Sequence, residues 1–288
     1  MAVMPMELNH LREGALGLLR ATHRLVGTAS VYRRNDADQP DSFRQLTFRA
    51  ILRKQFESLT AIVELSAEGR GNVAIALLRP MCEEIIWCDY LVSLPPEDAS
   101  LLLRCMAQLG IHDTFVAQKS YSEAVQMGDL GFSEESEQRL AASARSAARD
   151  LKMLSRKLGW PERKLVMPTT KYLAKVTNRL EMYNFLYHAT SRVVHFSVTE
   201  LMRLVWGKPG EVRVASNFFD RYWGDFSLYW GGWIYAKTFV AISPVLTDMS
   251  TDLRQEELAT FEAAVKTLVS GGGVPILTQA EVMRAFQS

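Results

Sequence analysis

Two histidines and an arginine recur at helical spacing between residues 181 and 195, in the segment EMYNFLYHATSRVVH. Side chains three or four positions apart share one face of an α-helix. The polar face carries Glu181, Asn184, His188, Ser191 or Arg192, and His195. The opposite face carries Met182, Phe185, Leu186, Ala189, Val193 and Phe196. The segment therefore predicts an amphipathic helix in which His188 and His195 are separated by about 10 Å of axial rise.

Such a polar face has the groups needed to cleave a phosphodiester. An imidazole, with an unperturbed pKa of ~6.5, takes up and releases a proton near neutral pH. A guanidinium holds a phosphate through paired hydrogen bonds and stabilises charge as it develops. RNA carries its own nucleophile, the 2′-hydroxyl, so its cleavage needs no metal ion. The alternative is a structural stripe, in which His188 and Arg192 face solvent and His195 is a half-buried, hydrogen-bonded histidine.

A second pair of charged residues interrupts the most apolar stretch of the chain. Arg79 and Glu83 stand four residues apart within VAIALLRPMCEEIIWCDYLVSL, residues 73–94. Because an unpaired charge is costly to bury, both side chains need partners. They can pair with each other, or Arg79 can contact the 181–195 segment. A structural ion pair that fixes helix register and a functional site would both satisfy this pattern.

Helical periodicity extends over most of the chain, so these side chains are expected on the helices of a bundle. Residues 73–94 are apolar nearly all round, which is typical of a central helix, and Pro80 is expected to kink it. We predict helical segments at residues 6–26, 42–68, 73–94, 98–125, 133–159, 169–205, 217–247, 252–273 and 277–288.

The segments between these helices are expected to be loops, apart from one hairpin. The turn sequence KPGE at residues 208–211 lies between two short β-prone runs, so a small β-hairpin is predicted near residues 204–215. The chain has no internal repeat, P-loop or βαβ alternation. The sequence therefore predicts an all-α fold, a single-domain helical bundle. Its predicted parts are an N-terminal helix and loop (1–41), the bundle (42–270) and a C-terminal linker with a short helix (271–288).

Aromatic residues are concentrated in the segment 217–247. Those at helical spacing are Phe219, Tyr222, Trp223, Phe226, Trp230 and Trp233. This pattern is typical of a core helix; a base-stacking platform and an aromatic dimer face are the alternatives. The window from Phe226 to Leu246 is long enough to cross a bilayer. Lys237 near its middle would cost roughly 2.5–3.5 kcal/mol on insertion, so we expect a buried helix and no membrane association.

Composition excludes several classes of protein. With 48% hydrophobic and 23% charged residues, the chain is not expected to be disordered. Its 33 Lys and Arg against 32 Asp and Glu exclude a globally basic protein that coats nucleic acid. Cys82, Cys88 and Cys105 form no C-x-x-C pair, so we expect no metal site, no disulfide framework and no cofactor. The odd cysteine count and the absence of an N-terminal signal sequence favour the cytoplasm.

Although the numbers of acidic and basic residues are nearly equal, a local strip of basic residues can still contact phosphates. The strip richest in basic side chains lies between residues 145 and 164. It carries Arg145, Arg149, Lys152, Arg156, Lys157, Arg163 and Lys164. An ordinary solvated helix face is the alternative interpretation.

Two of these segments resemble a bacterial all-helical family of unknown function. The pattern A-x-x-L-L-R-P-x-x-E matches Ala74 to Glu83, and the pattern Y-x-x-x-S-x-x-x-H matches Tyr187, Ser191 and His195. The preceding segment KYLAKVTNRLEMYNFLY is similar as well. The resemblance covers roughly residues 45–205 and rests on two segments in the same order and spacing.

More distantly, the pattern is similar to HEPN domains, helical bundles found in defence systems and toxins. The resemblance implies a metal-independent ribonuclease that acts as a dimer, with an Arg and a His at the dimer interface. The HEPN motif is R-x(4–6)-H, followed after the arginine by a polar residue. Here Arg192 to His195 is shorter and Arg179 to His188 is longer. Arg79 would therefore have to supply the cation from the other helix.

The resemblance leads to the hypothesis of a ribonuclease-type effector in phage defence or a toxin–antitoxin pair. In it, His195 is the general acid and base, and Arg79 and Arg192 hold the scissile phosphate. The residues expected to orient them are Glu83, His188, Ser191 and Tyr187. Two alternatives remain: a non-catalytic helical module that binds a nucleotide or a protein partner, and a structural subunit. The expected partners are RNA or a nucleotide, and a second copy of the chain or another protein.

Overall fold

Helices make up most of the chain in the computed structural model, which describes residues 9–29, 42–126, 131–161, 167–208, 210–246, 253–278 and 281. The helices are α1 (Asn9–Ala29), α2 (Ser42–Ala67), α3 (Gly71–Ala74), α4 (Leu78–Ser93), α5 (Pro96–Val125), α6 (Glu134–Lys157), α7 (Thr170–Val176), α8 (Leu180–Val194), α9 (Val198–Arg203), α10 (Asp220–Ile242) and α11 (Gln255–Val269). Two strands, β1 (Val205–Lys208) and β2 (Glu211–Val214), form one antiparallel hairpin. The all-α prediction and the small hairpin are confirmed.

The aromatic helix α10 lies at the centre of the bundle, in contact with α1, α2, α3, α4 and α11. Trp223 and Phe226 are 3% and 0% exposed, and the other four aromatic residues of the predicted stripe are half-buried against the same core. Gly231 and Gly232 permit close packing, because a Cβ at either position would come within 2.8 Å of a neighbouring leucine or isoleucine methyl. Lys237 is exposed, which avoids a buried charge. Among the described residues, no helix combines the length and the apolarity that crossing a bilayer demands.

The N-terminal helix packs into the bundle along α11. Leu11, Leu18 and Leu25 of α1 are almost fully buried. Arg24 of α1 and Glu257 of α11 form a paired ion contact, with N–O distances of 2.7 and 2.6 Å. Helix α1 therefore shares the core with the rest of the described chain.

The apolar segment 73–94 is not one continuous α-helix. A 3-10 turn, Ile75–Leu77, separates α3 from α4. Pro80 lies in the first turn of α4, where a missing N–H removes no bond that the helix would otherwise make. The proline thus lies at the start of a new helix, directly after the 3-10 turn. The following residues Met81, Ile85 and Ile86 of α4 are completely buried.

The segment predicted as one or two helices over residues 169–205 consists of α7, α8 and α9. Helix α8 ends at Val194, and His195 has an extended backbone with φ −114° and ψ 159°. The prediction placed Phe196 on the buried face of this helix, which is wrong: Phe196 is 87% exposed. The periodicity argument fails there because the helix ends two residues earlier.

The hairpin that follows α9 pairs Val205 with Val214 and Lys208 with Glu211. Gly210 has a positive φ of 89°, a conformation that glycine adopts without strain and that a tight hairpin turn requires. All four residues of β2 are exposed. The C-terminal helix predicted at residues 277–288 lies almost entirely outside the described residues.

Candidate functional site

Arg79 is held between its own helix and α8. Its Nε donates a hydrogen bond to Glu83 Oε1 at 2.7 Å. Its guanidinium carbon lies 4.1 Å from the centroid of the Tyr187 ring. Both contacts allowed by the sequence, with Glu83 and with the 181–195 segment, are therefore present. They position three of the predicted site residues next to one another.

Burial and neighbouring groups shift the pKa of Arg79 and of the nearby Tyr183. Burial disfavours the charged form of Arg79, but the interactions with Glu83 and Tyr187 together outweigh it and raise the pKa of the guanidinium. Tyr183, one turn before Tyr187, packs beside it with the rings tilted by 42° and their centroids 5.1 Å apart. Burial raises the pKa of the Tyr183 hydroxyl, so this tyrosine is not a ready base. Arg79 Nη1 is buried and makes no hydrogen bond within the described part of the chain.

A cavity of about 280 Å³ opens on the other side of α4, between α2 and α5. Its lining includes Lys54, Pro80, Glu83, Glu84, Trp87 and Met106. Lys54 Nζ pairs with Glu84 Oε1 at 2.5 Å, whereas Glu84 Oε2 is buried and makes no hydrogen bond to any described residue. Of the predicted site residues that the structure describes, Glu83 alone lines this cavity. The Glu84 carboxylate and Lys54 are features that the sequence reasoning missed, although the adjacent acid at position 84 was a visible signal.

His188 lies in the middle of α8, whereas Arg192 and His195 lie at its C-terminal end. Arg192 Nη2 is in hydrogen-bond contact with His188 Nε2. Because a guanidinium only donates, His188 Nε2 is the acceptor in this contact. His188 and His195 are exposed, and Ser191 and Arg192 are half-buried. The His195 side chain makes no hydrogen bond or ion pair within the described residues.

The predicted site residues therefore form two groups rather than one. Arg79, Glu83 and Tyr187 meet where α4 contacts α8, whereas His188 and Arg192 meet on the second half of α8. From Tyr187 to the end of α8 at Val194 the helix rises about 10 Å, so Arg79 does not reach His195. The polar stripe has the predicted periodicity, but Arg79 contacts it at Tyr187, whereas His195 lies about two turns further along the chain.

The predicted basic strip is only partly available to an anionic partner. Arg145, Arg149, Lys152 and Arg156 are exposed along α6. Lys157 is engaged, because its Nζ pairs with Asp98 at 2.6 Å. Arg163 and Lys164 lie outside the described residues.

A third charged cluster, around Arg203, was missed by the sequence reasoning. Arg203 is 5% exposed, pairs with Glu200 and Glu281, and lies 4.4 Å above the Trp223 ring. Burial raises the pKa of the Glu200 carboxyl above its ordinary value. Because Arg203 is bonded to partners within the chain, this cluster ties α9 to the C-terminal segment, and the guanidinium is not available to an anionic ligand.

Thiol chemistry is not supported in this fold. Cys82, Cys88 and Cys105 are all free and buried. Burial raises the pKa of Cys82 to about 12 and the pKa of Cys88 well above its usual range. A thiol that stays protonated at neutral pH is a poor nucleophile and a poor metal ligand. In the described residues, no three His, Cys, Asp or Glu side chains are grouped as metal ligands would be.

Comparison with known proteins places the motif-bearing region in a defined family. No curated protein and no solved structure matches the chain significantly. Residues 46–212, more than half of the chain, match the sequence model of a family of unknown function, DUF5677. The match spans α2 to the hairpin and includes both groups of predicted site residues. The chain is therefore a member of the DUF5677 family.

Proposed function

We propose that this protein is a HEPN-like, metal-independent ribonuclease whose reacting groups lie at the end of α8. His195 acts as general acid and base, and Arg192 holds the scissile phosphate. The attacking group is the 2′-hydroxyl of RNA, so a 5′-hydroxyl is released and no metal ion is needed. An effector of phage defence or a toxin–antitoxin pair is the biological class that fits such an activity.

The observation that carries this proposal is the pairing of His188 with Arg192 beside an unengaged, exposed His195. The hydrogen bond to His188 fixes the guanidinium on the exposed surface and leaves its other nitrogens for a phosphate. Ser191 is half-buried one turn before His195, and we assign it to orienting the backbone at the end of α8. An exposed imidazole without an internal partner can reach the sugar of a bound strand.

The geometry changes the role proposed for Arg79. Its guanidinium is committed to Glu83 and Tyr187, and it lies about two turns from the end of α8. We assign Arg79, Glu83 and Tyr187 to positioning: they fix α8 against α4 and thereby the direction in which its end projects. The cation at the reacting end is Arg192.

The proposed setting is the cytoplasm, with RNA as substrate. Three buried, free thiols suit a reducing compartment. The exposed basic face of α6 offers a track for an RNA backbone. By analogy with HEPN ribonucleases, we expect the active form to be a homo-oligomer.

The test is cleavage of single-stranded RNA in the presence of EDTA. We expect the wild-type protein to cleave RNA but not DNA of the same sequence. We expect His195→Ala to reduce cleavage at least about 100-fold, in line with the loss of a general acid–base. His112→Ala, a histidine change on α5, is the matched control and should leave the rate unchanged. Failure of the wild type to cleave, or equal cleavage by the His195 variant, would remove the proposal.

The cavity beside α4 favours a second candidate function, that of a non-catalytic binding module. Glu84 Oε2 is buried without a hydrogen bond from the described residues, next to a mostly apolar space. This lining suits a small apolar molecule with an N–H donor, and the acidic Glu83 and Glu84 disfavour a nucleotide phosphate. Phenethylamine should raise the melting temperature of the wild type but not of Glu84→Gln. An equal shift in both proteins, or none in either, would exclude this site.

A further inference from the structure

The outer edge of β2 has no partner strand in the described structure. The sheet has two strands, so one side of β2 pairs with β1 and the other faces solvent. Proteins protect such edges with proline, inward-pointing charges or a covering element, because an open edge pairs with other strands. β2 has the sequence Glu-Val-Arg-Val, without proline, and every residue in it is exposed.

The hairpin register determines which backbone groups point outward. Ala215 N–H donates to Leu204 C=O at 2.8 Å, one step beyond the ladder that pairs Val205 with Val214. In an antiparallel ladder, hydrogen-bonded and non-hydrogen-bonded pairs alternate. The N–H and C=O groups of Val212 and Val214 therefore point away from β1. These two residues offer their backbone hydrogen bonds to a further strand.

The side chains of β2 are complementary to those of a second β2. Two antiparallel copies centred on Val212 exchange both backbone bonds between the two Val212 residues. Glu211 of each copy then lies directly opposite Arg213 of the other, at a non-hydrogen-bonded position where side chains are closest. A register centred on Arg213 would instead place two arginines opposite each other. Charge therefore selects one register out of those that the open edge allows.

The exposed apolar side chains around the hairpin also favour association. Val212 and Val214 are 57% and 75% exposed on the face opposite Glu211 and Arg213. The chain leading into β1 also exposes large apolar side chains. They are Phe196, Val198, Leu201 and Met202. Four-residue strands alone would make a small contact, and this apolar surface adds area that water disfavours.

We propose that two copies of this chain associate through β2, forming a continuous four-stranded sheet with the order β1–β2–β2–β1. The two-fold axis passes through Val212, and two Glu211–Arg213 pairs flank it. The occupant of the open edge is a second copy rather than an unrelated peptide, because the two-fold symmetry places each Glu211–Arg213 pair, joined at 2.8 Å within its own strand, against the same pair in reverse order. The inference does not rest on ribonuclease activity, since it concerns association alone.

Charge reversal tests the register directly by light scattering coupled to size exclusion. We expect the wild type to reach twice the 32.5 kDa chain mass on concentration. Glu211→Arg places arginine opposite arginine, and Arg213→Glu places glutamate opposite glutamate. Each variant alone should have a dimer Kd raised about tenfold or more. An equal mixture of the two should recover the wild-type Kd as a heterodimer, and so should the double reversal.

Controls separate this interface from other surfaces. Glu135→Arg and Arg139→Glu reverse an equally exposed ion pair on α6, with side chains 74% and 78% exposed. These variants should dimerise like the wild type. Val212→Pro removes the outward N–H and should abolish dimerisation while leaving the β1–β2 bonds intact, because Val212 makes none of them. A monomeric wild type, or a dimer indifferent to the β2 reversals, would overturn the proposal.

Discussion

The guanidinium carbon of Arg79 lies over the Tyr187 ring, 4.1 Å from its centroid, while Arg79 Nε is bonded to Glu83. These contacts join α4 to α8 across more than one hundred residues of sequence. They make the arginine of the apolar segment a structural link at the point where α8 leaves the bundle. The direction of α8 and the position of its exposed end depend on this link.

The Arg79–Tyr187 contact predicts energetic coupling between the two helices. A double-mutant cycle of Arg79→Ala and Tyr187→Ala should give a coupling free energy of about 0.5–1 kcal/mol, the range of a partly exposed cation–π pair. Urea unfolding of the four proteins measures it. The pair Arg79→Ala and Tyr121→Ala, in which the exposed Tyr121 is on α5, should be additive. Additivity in the Tyr187 cycle as well would contradict the assigned role.

The sequence predicted the helices and the hairpin better than it predicted which of their side chains would be in contact. Helical periodicity and the turn at residues 208–211 were sufficient for the bundle and the hairpin, because both signals are local. The position of Arg79 over Tyr187 depends on how α4 and α8 cross, which no local pattern states. The end of α8 was misjudged for a related reason: Phe196 continues the apolar periodicity although the helix has already ended.

The cluster around Arg203 predicts a large loss of stability on truncation. Arg203→Ala leaves Glu200 and Glu281 without their cation in a site where the side chains are 14% and 12% exposed. We expect the free energy of unfolding to fall by about 3–5 kcal/mol, as when one partner of a buried ion pair is removed. Arg139→Ala, which breaks the exposed pair with Glu135, should change stability by less than about 1 kcal/mol. Similar small losses in both variants, measured by urea unfolding, would show that the Arg203 network contributes little.

Because of the raised pKa of Asp225, we predict that the stability of the fold decreases as the pH rises from weakly acidic towards neutral. Burial raises the pKa of its carboxyl from 3.8 to about 6, against the opposing charges of Arg221 and His10. The folded protein therefore keeps a proton that the unfolded chain has already released, and its stability decreases as the pH rises from about 4 to about 6. Asp225→Asn should remove this decrease and be more stable than the wild type at neutral pH. Asp113→Asn, at an 83% exposed position, serves as control. Urea midpoints across this range that fall equally in the wild type and the Asp225 variant would refute the assignment.

The contact between α3 and α10 leaves no space for a side chain at Gly71. A Cβ at this position would lie 1.9 Å from the Asp220 carbonyl oxygen and 2.2 Å from the Gly224 nitrogen. Both atoms are backbone, so Gly71→Ala has to separate the two helices and should cost about 3 kcal/mol or more. Gly110→Ala, on α5 with open space around it, should instead stabilise by about 0.5–1 kcal/mol. Thermal unfolding distinguishes the two, and a harmless Gly71 variant would mean that α3 does not pack on α10 this closely.

The burial of all three thiols makes this chain well suited to site-specific labelling. Maleimides react with exposed thiolates, whereas Cys82, Cys88 and Cys105 are enclosed and protonated at neutral pH. A cysteine introduced in place of the 87% exposed Phe196 would therefore be modified selectively without removal of the native ones. A fluorophore or spin label there would report on the tip of α8 in the unaltered core.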